Sequence, residues 1–201
     1  GEDFAGRNDS SIRAVCEYDV DLDPYDVESK VLNTIDSDSF TDAGQRVTWE
    51  FQVEEAGDYY IAMNYRQDDK SDFPVFADVE IDGQVPDTAF KDYAFDYSKD
   101  FTVTPLADEE DNYLCVHLEA GTHTMSLALS AEPLREMFEK LEEIMNNIND
   151  LSLEVTKVAG TNKDKYRDFD LEAYIPNLGE SLNAWADELD AMVDKMSVYN
   201  P

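Results

Sequence analysis

The sequence predicts an all-β sandwich over residues 12–131 followed by an antiparallel α-helical hairpin over residues 132–201, with residues 1–11 disordered. Three observations carry this. Apolar residues alternate with polar ones in several short runs before residue 130, the period of strands with one buried face. Turn dipeptides built on glycine separate those runs, and no helical stretch lies between them. At Ala131 the apolar period then changes from two to alternating steps of three and four.

The elements follow in order. "RVTWEFQV" (Arg46–Val53) sets Val47, Trp49, Phe51 and Val53 against Arg46, Thr48, Glu50 and Gln52. After Ala56-Gly57 the run from Tyr59 to Tyr65 resumes a strand, and the two together read as a hairpin. "FPVFADVEIDGQVP" alternates Val75, Ala77, Val79 and Ile81 before Asp82-Gly83, a tight-turn pair because glycine accepts positive φ without steric cost. Tyr113–Leu118 and Thr122–Leu129 flank Ala120-Gly121 and read as a second hairpin that closes the sheet region. Leu134, Met137, Leu141, Ile144, Ile148 and Leu151 then share one helical face, with Pro133 suited to the first turn. Gly160 and a polar cluster interrupt the pattern. Leu178, Leu182, Trp185, Leu189, Met192 and Met196 repeat it, so the two helices are expected to share an apolar seam. Such a seam leaves part of each stripe open, to be covered by the sandwich, another domain or a second copy, which makes the pair a docking device.

Charge limits the partners. The 201 residues carry 15 Lys+Arg against 47 Asp+Glu, a formal net charge of −32. That balance repels phosphate backbones and anionic lipid, so neither nucleic acid nor direct membrane insertion is expected. A hydrophobic fraction of 42% and an aromatic fraction of 11% are nonetheless enough to support a folded core. No apolar run approaches the length of a membrane helix, and Gly1 follows no signal-like segment, so the sequence reads as a mature form or an excised part.

Four groups of residues merit a chemical reading. Asp19, Asp21 and Asp23 alternate in "DVDLDPYDVES", the spacing that opens a calcium loop, since Ca²⁺ collects many oxygen ligands. Pro24 and Lys30 stand where an EF-hand loop needs Gly and Glu, so a calcium site and a solvated acidic loop both stay open. In "FKDYAFDYSKDF", Tyr93, Asp96 and Tyr97 combine ring faces with a carboxylate, the pairing that holds a sugar by stacking and by hydrogen bonds to its hydroxyls. The same alternation also describes aromatics buried on one side of an irregular strand. Cys16 and Cys115 either pair, if the first strand lies beside a late one, or act as two buried thiols. Cys115 and His117 share a strand face while the turn displaces His123, and no nucleophile elbow, glycine-rich phosphate loop or His cluster is present; the abundant carboxylates leave a two-carboxylate glycan-active enzyme open by residue type, but nothing favours it, so no enzyme is expected. Trp49 and Trp185 lie on the apolar faces of their elements and are assigned to the core.

"VTWEFQVEEAGDYYIAMNYR" (Val47–Arg66), "ADVEIDGQVP" (Ala77–Pro86), "LEAGTHTMSLALSAEPL" (Leu118–Leu134) and "KVAGTNKDKYRDFDLEAYIPNLGESLNAWADELDAM" (Lys157–Met192) together resemble part of a family of large extracellular solute-binding proteins of Gram-positive ABC transporters. The more specific element is Tyr166-Arg167-Asp168 after a G-x-N. The sequence departs from the family pattern in a shortened connection around Asp68–Phe73 and in the acidity of Asp19–Asp42. The resemblance implies a jelly-roll sandwich like galactose-binding-like carbohydrate-binding modules, then helices leading back to the solute-binding lobes. It also implies an extracellular, cell-surface setting, with carbohydrate and the neighbouring domains as partners.

Overall fold

The computed structural model describes residues 4–17, 32–68, 73–160, 166–197 and 199. It divides into two compact units, Gly1–Pro133 and Leu134–Pro201. Among the described residues eleven strands occupy the first: β1 (Gly6–Arg7), β2 (Ala14–Glu17), β3 (Leu32–Ile35), β4 (Arg46–Val53), β5 (Gly57–Tyr60), β6 (Ala62–Gln67), β7 (Val75–Ile81), β8 (Tyr93–Phe95), β9 (Ser98–Pro105), β10 (Cys115–Leu118) and β11 (Gly121–Ser130). The helices are α1 (Glu132–Ala159), α2 (Leu171–Tyr174) and α3 (Leu178–Met196).

The sheet unit is an antiparallel β-sandwich. A five-stranded sheet runs in the order β1-β4-β11-β7-β8, and three two-stranded ladders pair β10 with β5, β2 with β3 and β6 with β9. In β4 the alternation holds: Val47 and Val53 are buried, and Arg46, Glu50 and Gln52 face water. Ala77, Val79 and Ile81 of β7 share one core with Leu114, Val116 and Leu118 in and before β10, so two layers that exchange no ladder hydrogen bonds meet through apolar side chains.

The tight turn at Asp82-Gly83 forms. Both residues have positive φ, 50° and 75°, and Ile81 and Gln84 exchange backbone hydrogen bonds of 2.8 and 3.0 Å, a primed turn that suits strand twist. The two expected hairpins do not form. β4 pairs with β11 up to Val53↔Gly121, and the same two chain segments then pair again as β5 and β10 from Gly57↔Leu118. The strands turn a corner side by side and pass from one sheet into another. Gly121, at φ 153°, allows the bend.

Within the segment 1–11, expected to be disordered, the described residues 4–11 are ordered, and residues 1–3 lie outside the described residues. Gly6 and Arg7 pair with Thr48 and Val47. The Asn8 side chain accepts from the Arg46 amide at 2.7 Å and donates to the Gly44 carbonyl at 2.7 Å. Ile12 is fully buried and anchors the stretch. Its apolar side chain provides the burial that a polar sequence lacks.

In the helical unit, Lys140 of α1 lies 3.4 Å from Glu188 of α3, and Glu136 lies 3.7 Å from Lys195. Earlier residues of one helix meet later residues of the other, so α1 and α3 run antiparallel. Carboxylates of Glu143 and Glu188 raise the Lys140 pKa above its ordinary value by stabilising the charged amine.

Candidate functional site

Tyr93, Asp96 and Tyr97 are only partly brought to the surface. Tyr93 sits on β8 opposite Ala77, with its ring 5.1 Å from that of buried Phe95. Its hydroxyl accepts from the Ala107 amide at 3.2 Å. Ring and hydroxyl are thus both engaged inside the sheet unit, while Asp96 and Tyr97 are exposed. Asp19, Asp21 and Asp23 lie outside the described residues. Among the described residues no group of three or more His, Cys, Asp or Glu side chains could hold a metal.

The cysteines are not joined. Cys16 and Cys115 both carry exposed thiols, so neither the pairing nor the burial expected for them is found. Trp49 and Trp185 are half-buried in their elements.

The two histidines have separate roles. His123 donates from Nδ1 to Asp82 at 2.7 Å and from Nε2 to the Glu119 carbonyl at 2.8 Å. Both acceptors are satisfied only when both ring nitrogens carry protons, so the geometry selects the imidazolium. The Asp82 carboxylate foremost, then the Glu119 carbonyl, raises the His123 pKa. Asp82 in turn is lowered, first by the hydrogen bond its Oδ1 accepts from the Thr124 amide at 2.9 Å and then by His123. This network ties the Asp82-Gly83 turn to the corner before β11. His117 donates from Nδ1 to Asp58 at 2.7 Å, which raises its pKa, and both side chains are well exposed.

A surface that the sequence reading passed over lies beside His117. Leu114, Val116 and Leu118 point inward, so the alternate positions Tyr113, Cys115 and His117 point outward, and Tyr60 and Asp58 of β5 stand opposite Cys115 and His117. The signal available was the alternation in "NYLCVHL" itself, which puts two polar-edged side chains and a thiol on the face opposite three aliphatics.

The helical unit opens a second surface. Ile144 is 1% exposed and anchors the seam. Leu141 and Ile148, expected on that seam, are 37% and 43% exposed. With Phe138 and Met145, at 57% and 56%, they form their own stripe at steps of three and four. On α3, Leu182 and Val193 are 47% and 66% exposed and stand about three turns apart on one side. A contact between two helices covers a narrow band of each, and residues next to the band stay open.

The family model of the bacterial solute-binding protein 4-helix bundle domain matches residues 136–201, the segment that holds most of α1 and all of α2 and α3. No curated protein matches the chain. Among solved structures, a GH26-CBM35 beta-(1,4)-mannanase of Podospora anserina is 15% identical, with a TM-score of 0.33, over 45% of this chain and 17% of that one. A cycloisomaltooligosaccharide glucanotransferase of Paenibacillus sp. complexed with cycloisomaltoheptaose is 23% identical, with a TM-score of 0.30, over 50% of this chain and 13% of that one. The chain therefore spans less than a fifth of either structure. Among the described residues no helix is long and apolar enough to cross a membrane.

Proposed function

We propose that this chain is a non-catalytic accessory region of an extracellular, cell-surface solute-binding protein serving a Gram-positive ABC transporter. In this reading the helical unit docks to the solute-binding lobes and the sheet unit contacts carbohydrate. One observation carries it: the segment that matches a four-helix-bundle family of bacterial solute-binding proteins contributes two long helices that leave apolar side chains open, a stripe on α1 and Leu182 and Val193 on α3. A four-helix bundle closes its core with four such stripes, so two further helices are needed to cover Phe138, Leu141, Met145 and Ile148.

Charge indicates which helices those are. Glu142, Glu143, Asp187, Asp190 and Asp194 flank the stripes, and the chain as a whole is strongly acidic. A second copy would bring like charges to the rim of the contact, whereas helices with Lys and Arg beside an apolar stripe would complement it. In the reading proposed here such helices belong to the solute-binding lobes, and the charge argument supports a partner of different sequence over a second copy.

Isothermal titration of the chain with those lobes tests this reading. One-to-one association with a negative heat-capacity change is expected, because apolar surface leaves water. Replacing Phe138 and Met145 together by Glu should abolish association while leaving the thermal midpoint of the chain alone nearly unchanged. Absence of association with the unsubstituted chain, or association that survives the double replacement, would overturn the docking role.

A further inference from the structure

The outward face of β5 and β10 has the composition of a ligand platform. Tyr60 and Tyr113 are 66% and 61% exposed, and their rings meet edge to face at 5.9 Å and 71°. Next along the same face come Cys115 and then His117, whose Nδ1 is held by Asp58 at 2.7 Å. His117 Nε2 lies 3.7 Å from a Glu119 carboxylate oxygen, beyond a direct hydrogen bond, and both groups are exposed to a hydroxyl that approaches beside them. The face thus runs from two open aromatic rings to a polar end with a ring nitrogen and two exposed carboxylates.

We propose that this face binds a neutral oligosaccharide, one sugar ring lying on Tyr60 or Tyr113 and the next presenting hydroxyls to Asp58, His117 and Glu119. Stacking uses the apolar face of a pyranose against the π-face of an aromatic, and the carboxylates accept from hydroxyls. Asp58 and Glu119, within a chain of net charge −32, disfavour uronic or sulfated sugars and select neutral ones. The fixed backing supports this role. Val116 and Leu118, 7% and 6% exposed, lock β10 to the core, and the ladder with β5 fixes the spacing of the outward side chains, so little order must be gained on binding. The inference rests on the carbohydrate-contacting part of the function proposed above and names its site.

The test titrates the whole chain with maltohexaose, cellohexaose and mannohexaose by calorimetry. N-ethylmaleimide alkylation of Cys115, read by peptide mass spectrometry against Cys16, reports occupancy at the platform. At least one of the three sugars should bind and slow alkylation of Cys115 but not of Cys16. Of Tyr60→Ala and Tyr113→Ala, at least one should weaken binding by about tenfold, the upper range for a lost ring contact. Both side chains are exposed, and circular dichroism of the variants should match that of the parent. A sugar that binds both variants with unchanged affinity and leaves Cys115 alkylation unslowed would place the site elsewhere, overturning this inference while preserving the carbohydrate reading. Weakening by Tyr97→Ala in place of the β5–β10 variants would do the same. No binding by any of the three would overturn both.

Discussion

His123 shows how the protonation of one side chain makes the stability of a turn depend on pH. Its two ring nitrogens face Asp82 and the Glu119 carbonyl, and its folded pKa is raised above the ordinary value of 6.5. Its contribution to stability is therefore complete below that unfolded value and is lost as pH rises through the folded pKa. Asp82 works in the opposite direction, since its pKa is lowered: its contribution is present above the ordinary carboxylate value of 3.8 and is lost as pH falls through its folded pKa. The network is intact between those limits. His123→Gln should accordingly lower the thermal midpoint more at pH 5.5 than at pH 8.5, with the parent measured beside it at both. An equal loss at the two values would show that the charge is not what the pair contributes. An NMR titration should place the His123 pKa above that of an unperturbed imidazole. None of this was legible in the sequence, where His123 stood only beyond a turn. Its partner Asp82 lies far away along the chain and meets it through the pairing of β11 with β7.

At the level of elements, burial separates residues that the periodic pattern groups together. Ile144→Ala should destabilise the helical unit by about 2–5 kcal/mol, the range for emptying a well-packed aliphatic site. Phe138→Gln, at an exposed position, should change stability by less than about 0.5 kcal/mol. Chemical denaturation followed by helical circular dichroism distinguishes them, and a large loss for Phe138→Gln would mean that its stripe is already covered. The helices and the strand Arg46–Val53 were readable because their burial repeats at the period of the element itself. Strand partners were not. The runs on either side of Ala56-Gly57 and of Ala120-Gly121 have every local mark of hairpins, yet both pairs of runs turn a corner together and join different ladders. Local sequence specifies that the chain turns, and long-range packing of Val116 and Leu118 against Val79 and Ile81 decides which strand it meets next. Tyr60 and Tyr113 escaped notice for a related reason: a tyrosine in a strand fits either face, and only the burial of Leu114 and Val116 fixes which one it takes.

For the whole molecule, charge is the dominant long-range term. A net charge of −32 on 201 residues opposes compaction by self-repulsion and keeps copies of the chain apart. Added sodium chloride should raise the thermal midpoint, because the screening length falls to about 10 Å at 0.1 M and to about 3 Å at 1 M. Light scattering should give a monomer mass in low salt despite the open stripes on α1 and α3. The sequence indicated this balance at once, along with the division into a sheet unit and a helical unit, since composition and period need no knowledge of contacts. In the proposed docking role the same charge favours a partner of different sequence over a second copy. The most direct measurement is hydrogen–deuterium exchange along residues 138–148 and 182–193, in the chain alone and in its mixture with the solute-binding lobes. Completion of a four-helix bundle predicts slower amide exchange in both segments at once, with the β-strands unchanged. Exchange that stays the same in the mixture, or that slows in the chain alone as its own concentration rises, would contradict the docking account.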